Sequence, residues 1–574
     1  MKPMKPNRPP PPAAPATLQT VLDRLAGERI LADSRKRDLR SGILSFAKLK
    51  GQPPAAIPLD LALIRATLDR MVAASAGVTP KRWANLRSDL AGAIAASGLR
   101  PMLKTRGLRP NQAWTRILRP ADKRTRHGLS RFARWASLRR IAPEAVNDST
   151  IPRFLAELDS ATLIRNLRDL PVTVAKAWNA LVALHQGARL RPVAVPINKP
   201  SPTWIPWEQF PSSFREDVER YLTWASVPDP LAPGARARAL APSSLRLQKT
   251  HILSAARAAA AAGVRLDQVT LLASLVEPET FRTLLRHRWR EDGSADYIHG
   301  VAITLIAIAS EWVKAPPDVI ATLKALRRKL GTPPSGLTEK NKALLRRFED
   351  PRLIAALLQL PDRLWHVARR GLGRSRRSFI DLQSALAIDL LIHVPLRMQN
   401  LSSLTFDQHL HWPQGRRKPA LLTLRGDETK NDLPLEFEIP TVLAERLQVY
   451  RNEVAPSVIG KRPDAVFVSL TGEPRSQGSI KVAIEKTVLR HLGVKITPHQ
   501  FRHLAAKIAL DGNPGAYELV RQLLGHKNLS TTTNFYAGID TRRAGRAHAE
   551  LVMKLRESQL DRGRGRRTPR LQKD

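Results

Sequence analysis

The chain has 574 residues, 43% of them hydrophobic, enough for several packed domains and too many for one core. Its 94 Lys and Arg against 50 Asp and Glu give a formal net charge of +44, spread along the whole chain, which implies a polyanionic partner, nucleic acid before anionic membrane. The absence of cysteine excludes disulfides, thiolate zinc sites and cysteine nucleophiles, and no apolar stretch is long enough to span a bilayer, so a soluble, cytoplasmic, DNA-associated protein without a membrane partner is expected.

Residues 1–16, "MKPMKPNRPPPPAAPA", are a proline-rich, disordered lead without the apolar core of a secretory signal. From Leu18 to about Val313 the pattern is helical, and one design recurs. In "SRKRDLRSGILSFAKLKG" (34–51), Leu39, Ile43, Phe46 and Leu49 form one stripe beside Arg35, Lys36 and Arg37. "DKRTRHGLSRFARWASLRR" (122–140) repeats it with Leu129, Phe132, Trp135 and Leu138, and "SSLRLQKTHILSAARAAAAAG" (243–263) is a weaker third version. Each is followed by a break and further helices, which suggests tandem helical units, although amphipathic helices resemble one another in any case. Proline-rich boundaries at 196–211 and 314–336 then divide the chain into helical units over 17–105, 106–200 and 201–336, a domain over 337–550 and a basic tail over 551–574.

After Leu337 the character changes. "SFIDLQSALAIDLLIHVPLR" is an apolar helix that stops near Pro395, because proline lacks the amide donor and clashes with the preceding turn. "PALLTLR" (419–425) and "LPLEFEIP" (433–440) read as strands, the second with the alternation of a half-buried one. "GDETKND" between them is a turn, making a hairpin that carries Lys430 near its tip or early in the second strand, and "AVFVSL" (465–470) is a candidate third strand. Helices resume at 478–492, and Thr497 caps the next with Pro498 at its first position. The expected fold class is therefore mainly α with a small antiparallel β-sheet, in a multidomain chain.

The residues with chemistry cluster late. Taken singly, each has a plainer role: Arg397 and Lys430 as solvated cations, His499 and Arg502 as one exposed helix face, His526 at a helix end, and Tyr536, among only five tyrosines, as a core ring. Together they compose a phosphodiester site. Arginine forks match the nonbridging oxygens of a phosphate, histidines donate hydrogen bonds or move protons, a lysine can protonate a leaving alkoxide, and a phenol can attack once cations stabilise the developing charge. Such a site needs neither metal nor nucleotide cofactor.

"TPHQFRH", "LLGH" and "TTTNFY" resemble the signature boxes of the tyrosine recombinase (phage integrase) family, whose functional positions match Arg397, Lys430, His499, Arg502, His526 and Tyr536 in order. The resemblance covers roughly 337–550. It implies a catalytic domain preceded by helical DNA-binding units that clamp double-stranded DNA, with about 215–330 as the nearest such unit. It also implies a nucleophilic Tyr536 that forms a 3′-phosphotyrosyl bond, Lys430 as general acid, His499 assisting proton transfer, and Arg397, Arg502 and His526 on the scissile phosphate. A bacterial mobile-element recombinase acting as a homotetramer on paired sites, or with companion recombinases, is the implied setting. The segment "RAHAELVMKLRESQL" is then a candidate exchanged helix, and "RGRGRR" (562–567) a source of nonspecific DNA affinity. Two departures stand out: the family often has an acidic residue where this chain has Asn400, and the interval from His526 to Tyr536 is one residue longer than in its commonest members. Tyr517 is expected to pack, and His503 to point off the catalytic face. A type IB topoisomerase-like nicking–resealing enzyme and a catalytically silent DNA-binding protein are the alternatives.

Overall fold

The computed structural model describes residues 16–554 apart from 104, 106, 166, 186–188, 197–204, 230, 232–235, 237, 293–294, 332–335, 374, 416–417, 537–544 and 546–547. The proline-rich lead up to residue 15, most of the 196–211 boundary, part of the proposed exchanged helix and the RGRGRR run therefore lie outside the described residues. Two compact units emerge, Ile197–Gly336 and the remainder, Met1–Pro196 with Leu337–Asp574. The fold is mainly helical, with one three-stranded antiparallel sheet.

Upstream of Leu337 the described residues build three hydrophobic cores, and the element order around them recurs. In the first, helices Leu18–Gly27 and Asp33–Lys50 precede the tight turn Pro54–Ala56 and helices Leu61–Arg70 and Pro80–Ser97. In the second, Gln112–Leu118 and Lys123–Leu138 precede Pro143–Ala145, Thr150–Ala161 and Leu170–Leu184. In the third, Ser212–Ser226 and Pro242–Ala261 precede Leu266–Gln268, with a short extra helix, Leu272–Val276, before Pro278–Asp292 and Ala295–Glu311. Each long basic helix is closed by a residue of positive φ, Gly51 at 66°, Arg140 at 54° and Gly263 at 104°, the conformation that releases the chain from a helix. The second core is dominated by aromatic edge-to-face packing of Trp114, Phe132 and Phe154, each fully buried.

The fourth core spans Leu337 to Tyr536. Its axis is the helix Arg376–His393, buried on almost every face and packed against Leu360–Arg370, Thr441–Val449, Gln477–Leu492 and Pro498–Gly512. A helix so enclosed has little amphipathic signature, in keeping with its continuous apolar run. It stops at His393, just before Pro395, as expected.

The sheet orders β1 (Leu410–His411), β2 (Ala420–Leu424) and β3 (Leu435–Ile439) side by side. In the β2–β3 hairpin Leu424 pairs with Leu435 and Ala420 with Ile439, so Ala420, Leu422 and Leu424 face the core while Glu436 and Glu438 point to water. The third strand is not the expected "AVFVSL". Residues 465–468 make only isolated bridges, Ala465 with Thr405 and Val468 with Pro474, because the chain there is bent to bury Val466, Phe467 and Val468 rather than extended along an edge. The edge goes instead to the two-residue β1, too short to show any alternation.

Glycines mark the tightest helix crossings. A Cβ on Gly42 would lie 2.8 Å from Cβ of Asp89 and 3.2 Å from the backbone nitrogen of Leu90, and one on Gly128 would lie 3.0 Å from Cβ of Ala177. Gly42→Leu should therefore lower the unfolding free energy by about 1–3 kcal/mol through overpacking, which outweighs the helix-propensity gain of about 1 kcal/mol. Denaturant unfolding checks this, with Gly478→Ala, which meets nothing within 4 Å in its helix, as the control that should be unchanged or slightly stabilised.

Candidate active site

The helix Pro498–Gly512 is the platform. Thr497 caps it in a reciprocal box with Gln500, and Pro498 occupies the first turn, where its missing amide costs nothing. Three residues apart on this helix, His499 and Arg502 face one side. Arg502 is not a surface residue: it is 5% exposed and reaches two backbone carbonyls, Nη1 donating to Pro395 at 2.5 Å and Nη2 to Leu524 at 2.5 Å.

Those two carbonyls belong to the segments that deliver the next cations. Pro395 precedes Arg397, which stands at the N-cap of the helix Met398–Ser403. Leu524 ends the helix Tyr517–Leu524, where Gly525 at φ 58° turns the chain into His526. A side chain at 525 would be strained by this φ, and its Cβ would lie 3.0 Å from Leu435. The hairpin docks at the same turn: Asn431 Nδ2 donates to the Gly525 carbonyl at 2.7 Å. Lys430, exposed on the hairpin turn, is thereby held close enough for its charge to act on His499. Asn400, buried to 3% exposure, donates to the Glu428 carbonyl at 2.8 Å and supports that turn from below. A carboxylate here could not donate this bond, which accounts for the departure from an acidic residue.

Tyr536 closes the site. It is 1% exposed, and its phenolic oxygen lies 2.9 Å from Nδ1 of His503, on the same helix as His499 and Arg502. The longer interval from His526 is taken up by a turn and a helical run over 529–536, tied back by Thr532 Oγ1, 3.0 Å from His526 Nδ1. Tyr517 packs half-buried against the core as expected. His503 differs from its expectation: it faces the site, its ring 4.9 Å from that of His499. The two histidines are four residues apart and so neighbours on the helix, a signal present in the sequence.

The electrostatics are those of a site that favours an anion. Burial, then the charge of Arg397, lowers Arg502 to about 10, with Tyr536 opposing. Burial also lowers Arg397, whose guanidinium has no hydrogen-bond partner among the described residues. Burial, followed by Arg502, Arg397 and Arg521, brings His526 down to about 4, and desolvation followed by Arg502, Arg397 and Lys430 lowers His499. The Tyr536 phenol is pushed up by burial, with Arg502 pulling the other way. A desolvated cluster of one sign is costly unless an anion arrives to neutralise it. Two guanidinium forks, neutral imidazoles and a phenol around one spot can therefore bind a phosphate diester and present an oxygen nucleophile to it.

Comparison with known proteins places part of the chain in a family. Residues 366–543 match the phage integrase family. The chain is 25% identical over 262 residues to tyrosine recombinase XerC of Haemophilus influenzae (strain 86-028NP), spanning 41% of this chain and 83% of that protein. Against XerC of Shewanella amazonensis (strain ATCC BAA-1098 / SB2B) identity is 40% over 78 residues, 13% of this chain and 26% of the relative. Among solved structures, XerH site-specific recombinase bound to a palindromic difH substrate aligns at 14% identity and a TM-score of 0.36, covering 58% of this chain and 94% of that one. No helix among the described residues is long and apolar enough to cross a membrane.

The imidazoles give a pH signature. Burial first, then His499 and Arg502, lowers His503 to about 4, like His526, against an ordinary value of 6.5. The unfolded chain therefore binds more protons than the folded one between these values, so stability is complete above pH 6.5 and is lost as pH falls towards about 4. Urea midpoints should fall across that window, and His503→Phe should flatten the slope. An unchanged slope in that variant would contradict the assignment.

Proposed function

We propose that the chain is a site-specific DNA recombinase or integrase that breaks and rejoins strands through a 3′-phosphotyrosyl intermediate. The Tyr536 oxygen attacks the scissile phosphorus as the bond to the 5′ oxygen breaks, and Lys430 protonates that leaving oxygen. The phenolic proton departs by way of His499. Arg397, Arg502 and His526 hold the nonbridging oxygens as charge builds on them. One phosphodiester is exchanged for one phosphotyrosyl ester, so the bond energy is kept and a second 5′-hydroxyl can reverse the step. The observation that carries this reading is the buried Tyr536 phenol, hydrogen-bonded to the helix that also bears His499 and Arg502.

The net charge of +44 supports duplex DNA as the substrate, with phosphate contacts supplying affinity and register. Exchange between two duplexes breaks four strands, and with one such tyrosine per chain a tetramer on paired sites is the matching assembly, whether of this chain alone or with companion recombinases. The helical segments over 17–105, 106–200 and 201–336 are proposed as the DNA-gripping units ahead of a catalytic domain over 337–550.

Tyr536→Phe removes one hydroxyl and keeps the ring, so DNA binding should persist while covalent attachment disappears. The test is a nicked duplex bearing the site that the wild-type protein selects from a random-sequence library, scored for a protein–DNA adduct on a denaturing gel. Tyr517→Phe should still form the adduct. An adduct from Tyr536→Phe but not from Tyr517→Phe would move the nucleophile, and no adduct from the wild type would favour a silent DNA-binding protein.

A further inference from the structure

His503 lies in a chain of hydrogen bonds whose direction can be read. The backbone amide of Thr497 donates to Gln500 Oε1 at 2.9 Å, and a backbone amide can do nothing else. The other end of that side chain is then Nε2, which donates to Asn341 Oδ1 at 3.0 Å. Asn341 therefore turns its Nδ2 towards His503 Nε2, 3.2 Å away, so Nε2 must be the acceptor. A neutral imidazole that accepts at Nε2 carries its hydrogen on Nδ1, and Nδ1 lies 2.9 Å from the Tyr536 oxygen. The ring is 4% exposed and Gln500 5%, so water does not compete for these bonds.

We infer that His503 is a positioning residue that donates Nδ1–H to the phenolic oxygen of Tyr536, its tautomer set through Asn341 and Gln500 by the Thr497 amide. The inference rests on Tyr536 being the nucleophile. It assigns His503 a donor's role and denies it a base's role. Accepting the phenolic proton would require a lone pair on Nδ1 and hence a hydrogen on Nε2, pointed at the Asn341 amide hydrogens. The proton of Tyr536 must leave by another route. The donated hydrogen bond aims the phenol and strengthens as its oxygen gains negative charge, during attack on phosphorus and again when the phenolate departs on rejoining. Cleavage and rejoining are thus helped together.

The experiment measures single-turnover adduct formation on the nicked, selected duplex for His503→Phe, His503→Asn and His503→Gln, with DNA affinity and unfolding midpoints measured alongside. His503→Phe should form adduct about 10- to 100-fold more slowly, the loss expected for one hydrogen bond to a developing charge. Asparagine sets an amide donor near the position of Nδ1 and should recover much of the rate. Glutamine reaches towards Asn341 instead and should stay slow, so the Asn–Gln contrast decides the matter even if the Phe variant folds poorly. A substrate with sulfur in place of the bridging 5′ oxygen has a leaving group that needs no proton. It should rescue Lys430→Ala and leave the His503→Gln defect in place, because that defect lies on the nucleophile side. Equal rates for the Asn and Gln variants, or rescue of the Gln variant by sulfur, would overturn the inference. An adduct from Tyr536→Phe would remove the nucleophile assignment itself. An inert Tyr536→Phe beside a folded His503→Phe of wild-type rate would remove the inference alone.

Discussion

The site depends on one buried guanidinium. Arg502 commits two N–H groups to the carbonyls of Pro395 and Leu524, and those carbonyls stand two residues before Arg397 and one residue before Gly525–His526. Burying a charge costs several kcal/mol unless hydrogen bonds and a counter-charge offset it, roughly in the way of other buried ions. Two carbonyl dipoles offset part of that cost, and no carboxylate pairs with Arg502 among the described residues. The remainder is available to a phosphate. The same residue thus ties three segments together and leaves them needing an anion.

Local rules bring each segment to that point. Pro395 ends an enclosed helix so that Arg397 emerges at a helix start, and Gly525 accepts the positive φ that swings His526 back against Thr532. The hairpin carrying Lys430 is docked through Asn431 on Gly525 and braced by Asn400 and by His409. His409 accepts from the Thr405 amide through Nδ1, so its Nε2–H faces Glu428. The turn is held by Asn400, Asn431 and the His409–Glu428 contact, so the support does not draw on the Lys430 side chain.

Much of this was legible in the sequence because it is local. The Thr497–Pro498 cap, the proline stop and the alternation of "LPLEFEIP" each act within a few positions, while the six polar residues, spread over 397–536, are legible through the motifs around them. The missing parts are long-range. Asn341 meets His503 and Gln500 across about 160 residues, and nothing in "EKNKALL" announces it. A two-residue strand has no period to detect, and "AVFVSL" has a strand's composition without a strand's neighbours. His503 is the instructive error: reading it as the neighbour of Arg502 hid that it is also four residues from His499.

The central claim is that Arg502 holds the Arg397 and His526 turns as one assembly. Amide hydrogen exchange tests it most directly, comparing wild type with Arg502→Ala without DNA. Loss of the two carbonyl bonds should deprotect the segments around Leu396–Arg397 and Gly525–His526 together, while β2 and β3 exchange as before. Unchanged protection at both segments, or loss at one with the other intact, would contradict it.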